Sequence, residues 1–349
     1  MSGGAPPTVA TFGELMVRLA TPGHLRLAQA TSLDVTYAGA EANVAVTLSA
    51  FGVPARFVSR LPDNPLGEAA LAVLRSLGVD TAHVLRGGDR IGLYFVEPGI
   101  AQRPSQVLYD RAGSAFAEIP PGTVPWDEVL GGCGWLHTTG ISPAVSRSAA
   151  AVSAEAVAAA KKAALTVSIA LNHRAKLWNW GRSAGEVMAE LIAQAAVVFC
   201  NETDLEAVFG IPVPAATTGN AAVEPSSYDP ACRSLRQRFP NVEVVALSLR
   251  GAVSASENLW TGVLSTPSDF YTTTRYRITP ILDRVGSGDA FAGAAISQLV
   301  QHPGAFQEAL NFAVGASCLK HSIQGDFNRV SAGEVLRLTG GDATGRSVR

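Results

Sequence analysis

Short strand-like and helical segments alternate along most of the chain, and no other feature limits its possible folds as strongly. The strand-like runs are apolar and β-branched, and they lie at residues 8–12, 55–60, 135–138, 165–171, 196–200 and 242–249. Helical periodicity follows between and after them, at 147–162, 185–194, 305–320 and 331–338. Strands joined by crossover helices run parallel in one sheet. The alternation therefore predicts an α/β fold with a mostly parallel central sheet.

Two segments, at about 15–37 and 90–111, break this alternation. Both consist of short alternating runs separated by turn residues, which is typical of small exposed strands. We expect the two segments to join as one accessory sheet that serves as a lid, because closing a lid over a site excludes water. Tyr94, Tyr109 and Arg111 would project from this sheet, either toward a site or into solvent.

Composition excludes several classes of partner. Hydrophobic residues make up 47% of the 349 positions and charged residues only 16%, which fits helices packed closely on a buried sheet. The net charge of −2 gives no reason to expect a nucleic acid or an acidic membrane as partner. The four cysteines are scattered and form no C-x-x-C pair, so free thiols are expected. We find no secretion signal and no apolar run of membrane-spanning length, and expect a soluble, cytoplasmic protein.

The stretch Asp283-Arg-Val-Gly-Ser-Gly-Asp-Ala-Phe-Ala-Gly293 is the strongest indication of chemistry. Gly286, Ser287 and Gly288 stand directly before a run with helical spacing. Glycines allow a tight turn, and the first turn of a helix offers unpaired N–H groups and a partial positive charge. The turn can therefore form an anion hole for phosphate. Asp289 at its mouth is either a helix cap or a catalytic base.

Other familiar motifs are excluded. The chain has no Gly-x-x-x-x-Gly-Lys-Ser/Thr sequence, so it is not a P-loop protein, and Phe291 occupies the place of the third glycine in a dinucleotide fingerprint. His137 and His173 have no Ser or Cys nucleophile motif beside them, so structural histidines are the stronger interpretation. Residues 212–230 are rich in Pro, Ala, Thr and Ser and are expected to form a surface insertion.

Polar residues also follow several predicted strands, where ligands gather in an open α/β sheet. Asn172, Arg174 and Asn201 are placed in this way. Glu202 and Asp204 follow Asn201 and form a candidate magnesium region, although exposed acids at the start of a helix are nearly as good an explanation.

These residues resemble the ribokinase-like (PfkB) family of carbohydrate kinases over about residues 8–338. The pattern Asp-x-Val-Gly-x-Gly-Asp-x-Phe-x-Gly is similar to that family's C-terminal signature, and Ala38-Gly-Ala-Glu-Ala-Asn43 is similar to its N-terminal glycine motif. Within the family, the chain most resembles the kinases of 2-keto-3-deoxygluconate. The further pieces of that resemblance are Tyr94, Tyr109-Asp-Arg111, Asn172-His-Arg174, Lys176-Leu-Trp178 and Leu319-Lys-His-Ser-Ile-Gln-Gly-Asp326-Phe-Asn.

The resemblance implies a single three-layer α/β domain over residues 1–349, with a β-sheet lid and a site between the two. It implies ATP and Mg²⁺ as cofactors, a small-molecule sugar acid as acceptor, and Asp289 as the base. The residues implied to bind the sugar acid are Gly39, Ala40, Glu41, Ala42, Asn43, Tyr94, Tyr109, Arg111, Asn172, Arg174, Asp289 and Asp326. Those implied to bind ATP are Asn172, Arg174, Asn201, Ser248, Arg250, Gly251, Gly286, Ser287, Gly288 and Asn311, with Asn201 and Asp204 near the magnesium. A homo-oligomer is also expected, with the lid sheet as a candidate contact surface.

The chain departs from the family pattern at three positions. Ala38 replaces the usual first glycine of the early motif, and Ser287 replaces a common alanine in the anion hole. Asp204 stands where the family has Glu, which bears on how a magnesium-bound water is held.

Two arginines in the implied sugar pocket, Arg111 and Arg174, suit a carboxylate, because a guanidinium pairs with it in a bidentate manner. A neutral sugar would not require both, although either arginine could instead be a surface or phosphate contact. Two alternatives stay open. One is a kinase of the same fold that acts on fructose, ribose or a nucleoside. The other is a ligand-binding relative without catalysis, against which the intact Gly-x-Gly-Asp argues.

Overall fold

The computed structural model describes residues 5–214 and 224–342. Its strands in chain order are β1 (Thr8–Phe12), β2 (Met16–Ala20), β3 (Asp34–Ala38), β4 (Ala55–Val58), β5 (Arg60–Leu61), β6 (Leu85–Arg86), β7 (Gly92–Glu97), β8 (Gln106–Asp110), β9 (Cys133–Thr139), β10 (Thr166–Ala170), β11 (Val197–Asn201), β12 (Val244–Ser254), β13 (Glu257–Ser265), β14 (Phe270–Thr272) and β15 (Tyr276–Ile278). Its helices are α1 (Ala40–Ala50), α2 (Pro65–Ser76), α3 (Trp126–Val129), α4 (Ile141–Ala144), α5 (Arg147–Lys162), α6 (Ala184–Ile192), α7 (Asp204–Phe209), α8 (Asp229–Arg238), α9 (Ser287–Gln301), α10 (Phe306–Lys320) and α11 (Ala332–Thr339).

A nine-stranded sheet forms the centre of the fold. Its strand order is β14-β13-β12-β11-β10-β9-β1-β4, and β15 also pairs with β13. The strands from β12 to β4 in this order are all parallel, and β13, β14 and β15 extend the sheet in antiparallel fashion. Because parallel strands end at the same edge, the residues that follow β1, β9, β10, β11 and β12 lie along one side of the molecule.

Helices cover both faces of this sheet, since successive side chains of a strand point to opposite faces. In β11, Val197 and Phe199 belong to one hydrophobic core, whereas Val198 and Cys200 belong to the other. Residues of α1, α2, α9 and α10 pack in the first core, and residues of α5, α6 and α8 pack in the second. The predicted three-layer α/β fold is confirmed.

The two segments that interrupt the alternation pair as one smaller sheet, in the order β3-β2-β7-β8. The outer pairs are antiparallel, and the central pair, β2 and β7, is parallel. Arg18, Tyr94 and Tyr109 are register partners in adjacent strands. Their side chains therefore lie on the same face of the small sheet.

Some boundaries differ from those predicted. The helix at 147–162 and the strand at 8–12 match α5 and β1, but α1 begins at Ala40, so most of the early glycine motif is already helical. The sequence does not predict α7 or α8, and α7, with six residues, is too short to show a clear period. Of the insertion predicted at 212–230, residues 215–223 lie outside the described residues, and α8 begins at Asp229.

Two further observations bear on the compositional predictions. No helix in the described ranges is long and apolar enough to cross a membrane. The cysteines at 133, 200, 232 and 318 are all free thiols.

Candidate active site

The glycine-rich turn before α9 is built around Gly286. This residue has a left-handed φ of 83°, and a Cβ placed on it would lie 2.2 Å from the carbonyl oxygen of Asp326. Only glycine fits both constraints. The turn brings Ser287, Gly288 and Asp289 into the first turn of α9. Across residues 5–214 and 224–342, the backbone N–H groups of Gly288 and Asp289 have no acceptor, so they remain available to an anion.

Asp289 is held by two asparagine side chains. The Nδ2 of Asn43 donates to its Oδ2 at 2.7 Å, and the Nδ2 of Asn172 donates to its Oδ1 at 3.5 Å. Burial raises the pKa of the Asp289 carboxyl to about 6, and the negative charge of Asp326 acts in the same direction. The bond from Asn43 and the charge of Arg174 oppose this rise. The carboxyl is therefore largely ionised at neutral pH, yet basic enough to accept a proton.

The early glycine motif divides into two groups of residues. Gly39 packs so closely that a Cβ on it would meet the carbonyl oxygen of Glu14 at 1.9 Å, and Asn43 reaches Asp289 from the first turns of α1. Ala40 is half-buried at the start of α1. By contrast, Ala42 is completely buried in the core, and the buried Glu41 carboxyl accepts a bond from the Ser142 hydroxyl. Burial and hydrogen bonding within the protein therefore account for the places of Glu41 and Ala42.

Glu41 is a buried carboxyl that connects α1 to the end of β9. Its Oε1 accepts bonds from the backbone N–H and hydroxyl of Thr139, at 2.9 and 2.8 Å, and from the Ser142 hydroxyl at 2.7 Å. Burial raises its pKa to about 7, although these bonds favour the ionised form.

An ion cluster joins the small sheet to the glycine-rich turn. Arg18 of β2 donates to Asp283 at 2.5 Å and to Asp326 at 2.6 Å, and the Tyr94 hydroxyl donates to the same oxygen of Asp326 at 2.6 Å. Burial disfavours the charge of Arg18, but the two carboxylates more than offset this and raise its pKa. The sequence reasoning misses Arg18. The available signal is a lone charge inside the apolar run Met16-Val-Arg-Leu.

Arg111 is already paired within the protein. Its Nε and one terminal nitrogen both lie 2.6 Å from Oε2 of Glu14, and both side chains are buried. Its guanidinium also lies 5.6 Å from the ring centre of Tyr109, which is itself stacked 5.9 Å from the ring of Tyr94. A neutralised arginine attracts a carboxylate less strongly than a free one, so Arg111 is less suited to a substrate carboxylate than an arginine without an internal partner.

Arg174 is the exposed arginine near Asp289. It lies after β10, and its guanidinium donates to the carbonyl of the preceding residue, His173, at 2.9 Å. Its positive charge lowers the pKa of both Asp289 and Asp204, opposing the effect of burial at each. Arg174 is therefore near enough to both carboxylates for its charge to act on each.

The end of β11 is organised by Asn201 and Asp204. The Oδ1 of Asn201 accepts bonds from the N–H groups of Thr203 and Asp204, at 2.8 and 3.1 Å. The carboxylate of Asp204 accepts the N–H of Asn201 at 3.0 Å and that of His173 at 3.2 Å, so it ties the loop after β10 to the loop after β11. Each carboxylate oxygen keeps a further lone pair. This donor set fits a Mg²⁺ that retains its waters and is bound mainly through substrate phosphates.

The remaining residues implied to face a nucleotide lie in the neighbouring strand β12 and in α10. Ser248 is the register partner of Asn201 in the neighbouring strand. Two residues on, Arg250 is exposed and makes a 3.5 Å ion pair with Glu202, and Gly251 packs against Leu259. Asn311 lies in α10, where its Oδ1 accepts a bond from Gln307 at 3.0 Å.

Neither histidine considered from the sequence lies in a catalytic arrangement. His137 is completely buried in β9 and contacts Ser168 through Nδ1 at 2.8 Å. The backbone N–H of His173 donates to the Asp204 carboxylate. Within the described ranges, no three His, Cys, Asp or Glu side chains are grouped as metal ligands.

Known proteins similar to this chain are carbohydrate kinases. The sequence profile of pfkB family carbohydrate kinases matches residues 7–328. The chain is 33% identical to the 2-dehydro-3-deoxygalactonokinase of Haloferax volcanii, over 95% of this chain and 97% of that protein. It is 26% identical to the 2-dehydro-3-deoxygluconokinase of Thermoproteus tenax, over 91% and 90% of the two chains. The crystal structure of 2-dehydro-3-deoxygluconokinase from Thermotoga maritima superposes with a TM-score of 0.89 at 40% identity, covering 96% of this chain and 100% of that one.

Proposed function

Since the chain belongs to the pfkB family of carbohydrate kinases, we propose that it transfers the γ-phosphoryl group of ATP to the terminal hydroxyl of 2-keto-3-deoxygluconate. The product would be 2-keto-3-deoxy-6-phosphogluconate. The observation that carries this proposal is the position of Asp289, an ionisable carboxyl in the first turn of α9 beside two backbone N–H groups that have no acceptor among residues 5–214 and 224–342.

The residues of this turn supply what phosphoryl transfer requires, namely positioning, charge neutralisation and a base. The acceptor hydroxyl attacks the γ-phosphorus, the bond to the β–γ bridging oxygen breaks, and ADP leaves. Asp289 takes the hydroxyl proton, and the asparagines at 43 and 172 hold its carboxylate in place. The N–H groups of Gly288 and Asp289 stabilise charge that develops on the transferred group. Mg²⁺, when bound, neutralises phosphate charge, and Asn201 and Asp204 would hold its waters.

A sugar acid is the favoured acceptor because an exposed guanidinium lies beside the base. Arg174 can pair with a carboxylate through its guanidinium. Arg111 is already bound to Glu14 through two of its nitrogens, so it can offer the substrate its other terminal nitrogen. Relatives named for 2-dehydro-3-deoxy sugar acids, at 33% and 40% identity, support the same substrate class. The galactonate epimer is the second candidate, since the 33% identical relative is named for it.

An acceptor panel tests the proposal. We would compare kcat/KM for 2-keto-3-deoxygluconate, 2-keto-3-deoxygalactonate, fructose, ribose and a nucleoside, with wild type and with Asp289→Asn. We expect wild type to prefer a 2-keto-3-deoxy acid. Asp289→Asn should lose about 10²–10⁴-fold in kcat, as is usual when a general base is removed, while its Kd for ATP stays close to that of wild type.

The pH profile adds an independent check. A base with a pKa of about 6 must be ionised to act, so kcat/KM should fall as the pH drops through that value. Turnover of Asp289→Asn at the wild-type rate would exclude Asp289 as the base. A wild-type preference for fructose or ribose would replace the sugar-acid proposal with another sugar kinase of this family.

A further inference from the structure

Lys320, the last residue of α10, has a completely buried side chain. Full burial is unusual for lysine, because its ammonium is strongly hydrated and costly to remove from water. Its Nζ donates to the backbone carbonyl of Ile323 at 3.1 Å and to that of Asp283 at 3.4 Å. In the described part of the chain, no carboxylate oxygen lies within 4.0 Å of this ammonium. The cation is therefore held mainly by backbone oxygens.

Both carbonyls belong to the loops that shape the anion hole. Asp283 opens the glycine-rich turn, and Ile323 lies in the segment at 321–326 that returns to it. The two loops meet directly, since the N–H of Gly325 donates to the Asp283 carboxylate at 3.1 Å. The carbonyl of Asp326 also occupies the space into which a Cβ on Gly286 would extend. An ammonium that binds both loops thus holds the glycine-rich turn against the segment at 321–326.

The charges around this position are unbalanced without Lys320. Three carboxylates, those of Asp283, Asp326 and Asp289, favour the charged form of the lysine, and Arg18 opposes it. Burial nevertheless lowers the pKa of Lys320 from its ordinary value. Among the charges that act on Lys320, the three carboxylates outnumber the one arginine, so loss of the ammonium would leave a larger excess of negative charge beside the turn.

We propose that Lys320 is a positioning residue for phosphoryl transfer, a built-in cation that holds the glycine-rich turn against the loop at 321–326. The inference rests on the proposed kinase function. The ammonium contacts backbone carbonyls rather than reacting atoms, so it acts through the geometry of the turn and through its charge on Asp289. Its place at the C-terminal end of α10 also favours a cation.

Lys320→Met tests this role, because methionine keeps an unbranched apolar stem and removes the charge. Misplacing a catalytic turn by a fraction of an ångström to an ångström can reduce the rate by up to about 10²-fold. We expect kcat to fall about 10- to 100-fold while the KM for the sugar changes much less. The acidic limb of the pH profile should move to higher pH, since the Asp289 carboxylate loses a favourable charge. Lys162→Met is the matched control, since Lys162 ends α5 with 79% of its side chain exposed.

Chemical rescue separates a missing cation from a damaged fold. Ammonium or methylammonium can enter the cavity left by the ammonium group and bind the same carbonyl oxygens. We expect either salt to restore kcat of Lys320→Met by at least about tenfold, which corresponds to about 1.4 kcal/mol. Tetramethylammonium chloride at equal ionic strength should have no effect, because the ion is too large and has no N–H donor. Wild type and Lys162→Met should not respond to any of these salts.

Hydrogen exchange gives a readout that does not depend on activity. The segments 283–289 and 321–326 should both lose protection in Lys320→Met and regain it with methylammonium. Wild-type kcat and an unshifted acidic limb in the variant would overturn the inference, and so would a loss of activity with unchanged exchange and no rescue. If Lys320→Met does not fold, Lys320→Gln, which keeps an uncharged donor, takes the same measurements. Failure of the proposed function would appear instead in wild type, as absence of sugar phosphorylation.

Discussion

The guanidinium of Arg174 is close enough to Asp289 and Asp204 for its charge to lower the pKa of both carboxyls, and it is exposed to solvent. Only an acidic acceptor carries a carboxylate that can pair with this guanidinium when the acceptor is bound. We therefore expect Arg174→Ala to raise the KM for the sugar acid at least about tenfold, or about 1.4 kcal/mol. Background turnover of neutral hexoses should change little, and Arg174→Lys should lie between the two because it keeps charge without the bidentate fork.

The control for this substitution is Arg182→Ala. Arg182 is also exposed and lies in the same connection between β10 and α6, but it pairs with Glu190 of α6. Its removal should leave both KM values unchanged, since an exposed ion pair contributes little to the folded structure. Equal weakening of acid and neutral acceptors by Arg174→Ala would contradict carboxylate recognition by Arg174.

Individual residues were predictable from the sequence where the signal is local. Asp289 and Gly286 stand in one short stretch, and the structure brings them together as that stretch indicates. The partners of Arg111 and Arg18 were not predictable. Glu14 is 97 positions from Arg111, and the two carboxylates that bind Arg18 are 265 and 308 positions away from it. No periodicity or composition links residues at such separations, because only the three-dimensional fold pairs them.

At the scale of elements, the small sheet is joined to the glycine-rich turn by Arg18 and Tyr94, which reach Asp283 and Asp326. β2 and β7 are hydrogen-bonded neighbours, so we expect the segments at 15–37 and 90–111 to respond to ligand as one unit. Binding of the sugar acid should protect the amides of both segments together from hydrogen exchange. The α5 helix, packed in the core on the far face of the large sheet, should show no change.

That result would support the lid role that the sequence predicts for this sheet. Protection of one segment without the other would mean that the sheet does not close as a unit. The existence of the sheet was predictable because alternating runs and turn residues are local signals, as at Gln106 to Asp110 in β8. Its link to the active site was not, because that link depends on long-range ion pairs.

At the scale of the whole molecule, one face of the small sheet carries an apolar row that crosses all four strands. Its members are register partners in adjacent strands, namely Val35, Leu19, Phe95 and Leu108. Val35 and Leu108, at the two edges, are 57% and 54% exposed. We propose that a second copy of the chain covers this row, since a row on both copies can pair with itself about a two-fold axis.

Leu108→Glu should therefore convert the wild-type oligomer to monomers, because the row would then hold a buried charge at the contact. Light scattering coupled to size-exclusion chromatography measures the change. Leu336→Glu makes the same change of charge at a similarly exposed leucine (62%) in α11, outside the small sheet, and should leave the mass unchanged. A monomeric wild type would contradict the proposal, as would an oligomer that persists in Leu108→Glu.

Acid stability also belongs to the whole molecule, because buried groups with opposite pKa shifts contribute to it. Burial lowers the pKa of His137 to about 3 and that of His321 to about 4. Below a pH of about 6.5, the unfolded chain binds protons that these histidines exclude, so stability falls as the pH drops. Glu41, with a pKa raised to about 7, has the opposite effect, because the folded state holds its proton between about pH 4.5 and 7.

Asp289, with a pKa raised to about 6, acts in the same direction as Glu41, so the two carboxyls and the two histidines should largely cancel between about pH 4.5 and 6 and leave the histidines dominant below that range. Glu41→Gln removes one compensating carboxyl, so its stability should fall as the pH drops from about 6 to 4.5, where wild type changes little. His137→Asn should flatten the acid limb by up to about 1.4 kcal/mol per pH unit, the value for one titrating group. Urea-unfolding midpoints at half-unit intervals from pH 4 to 7.5 measure these slopes. Parallel curves for wild type and Glu41→Gln would show that Glu41 is not protonated in the folded protein, and the proposed compensation would then be wrong.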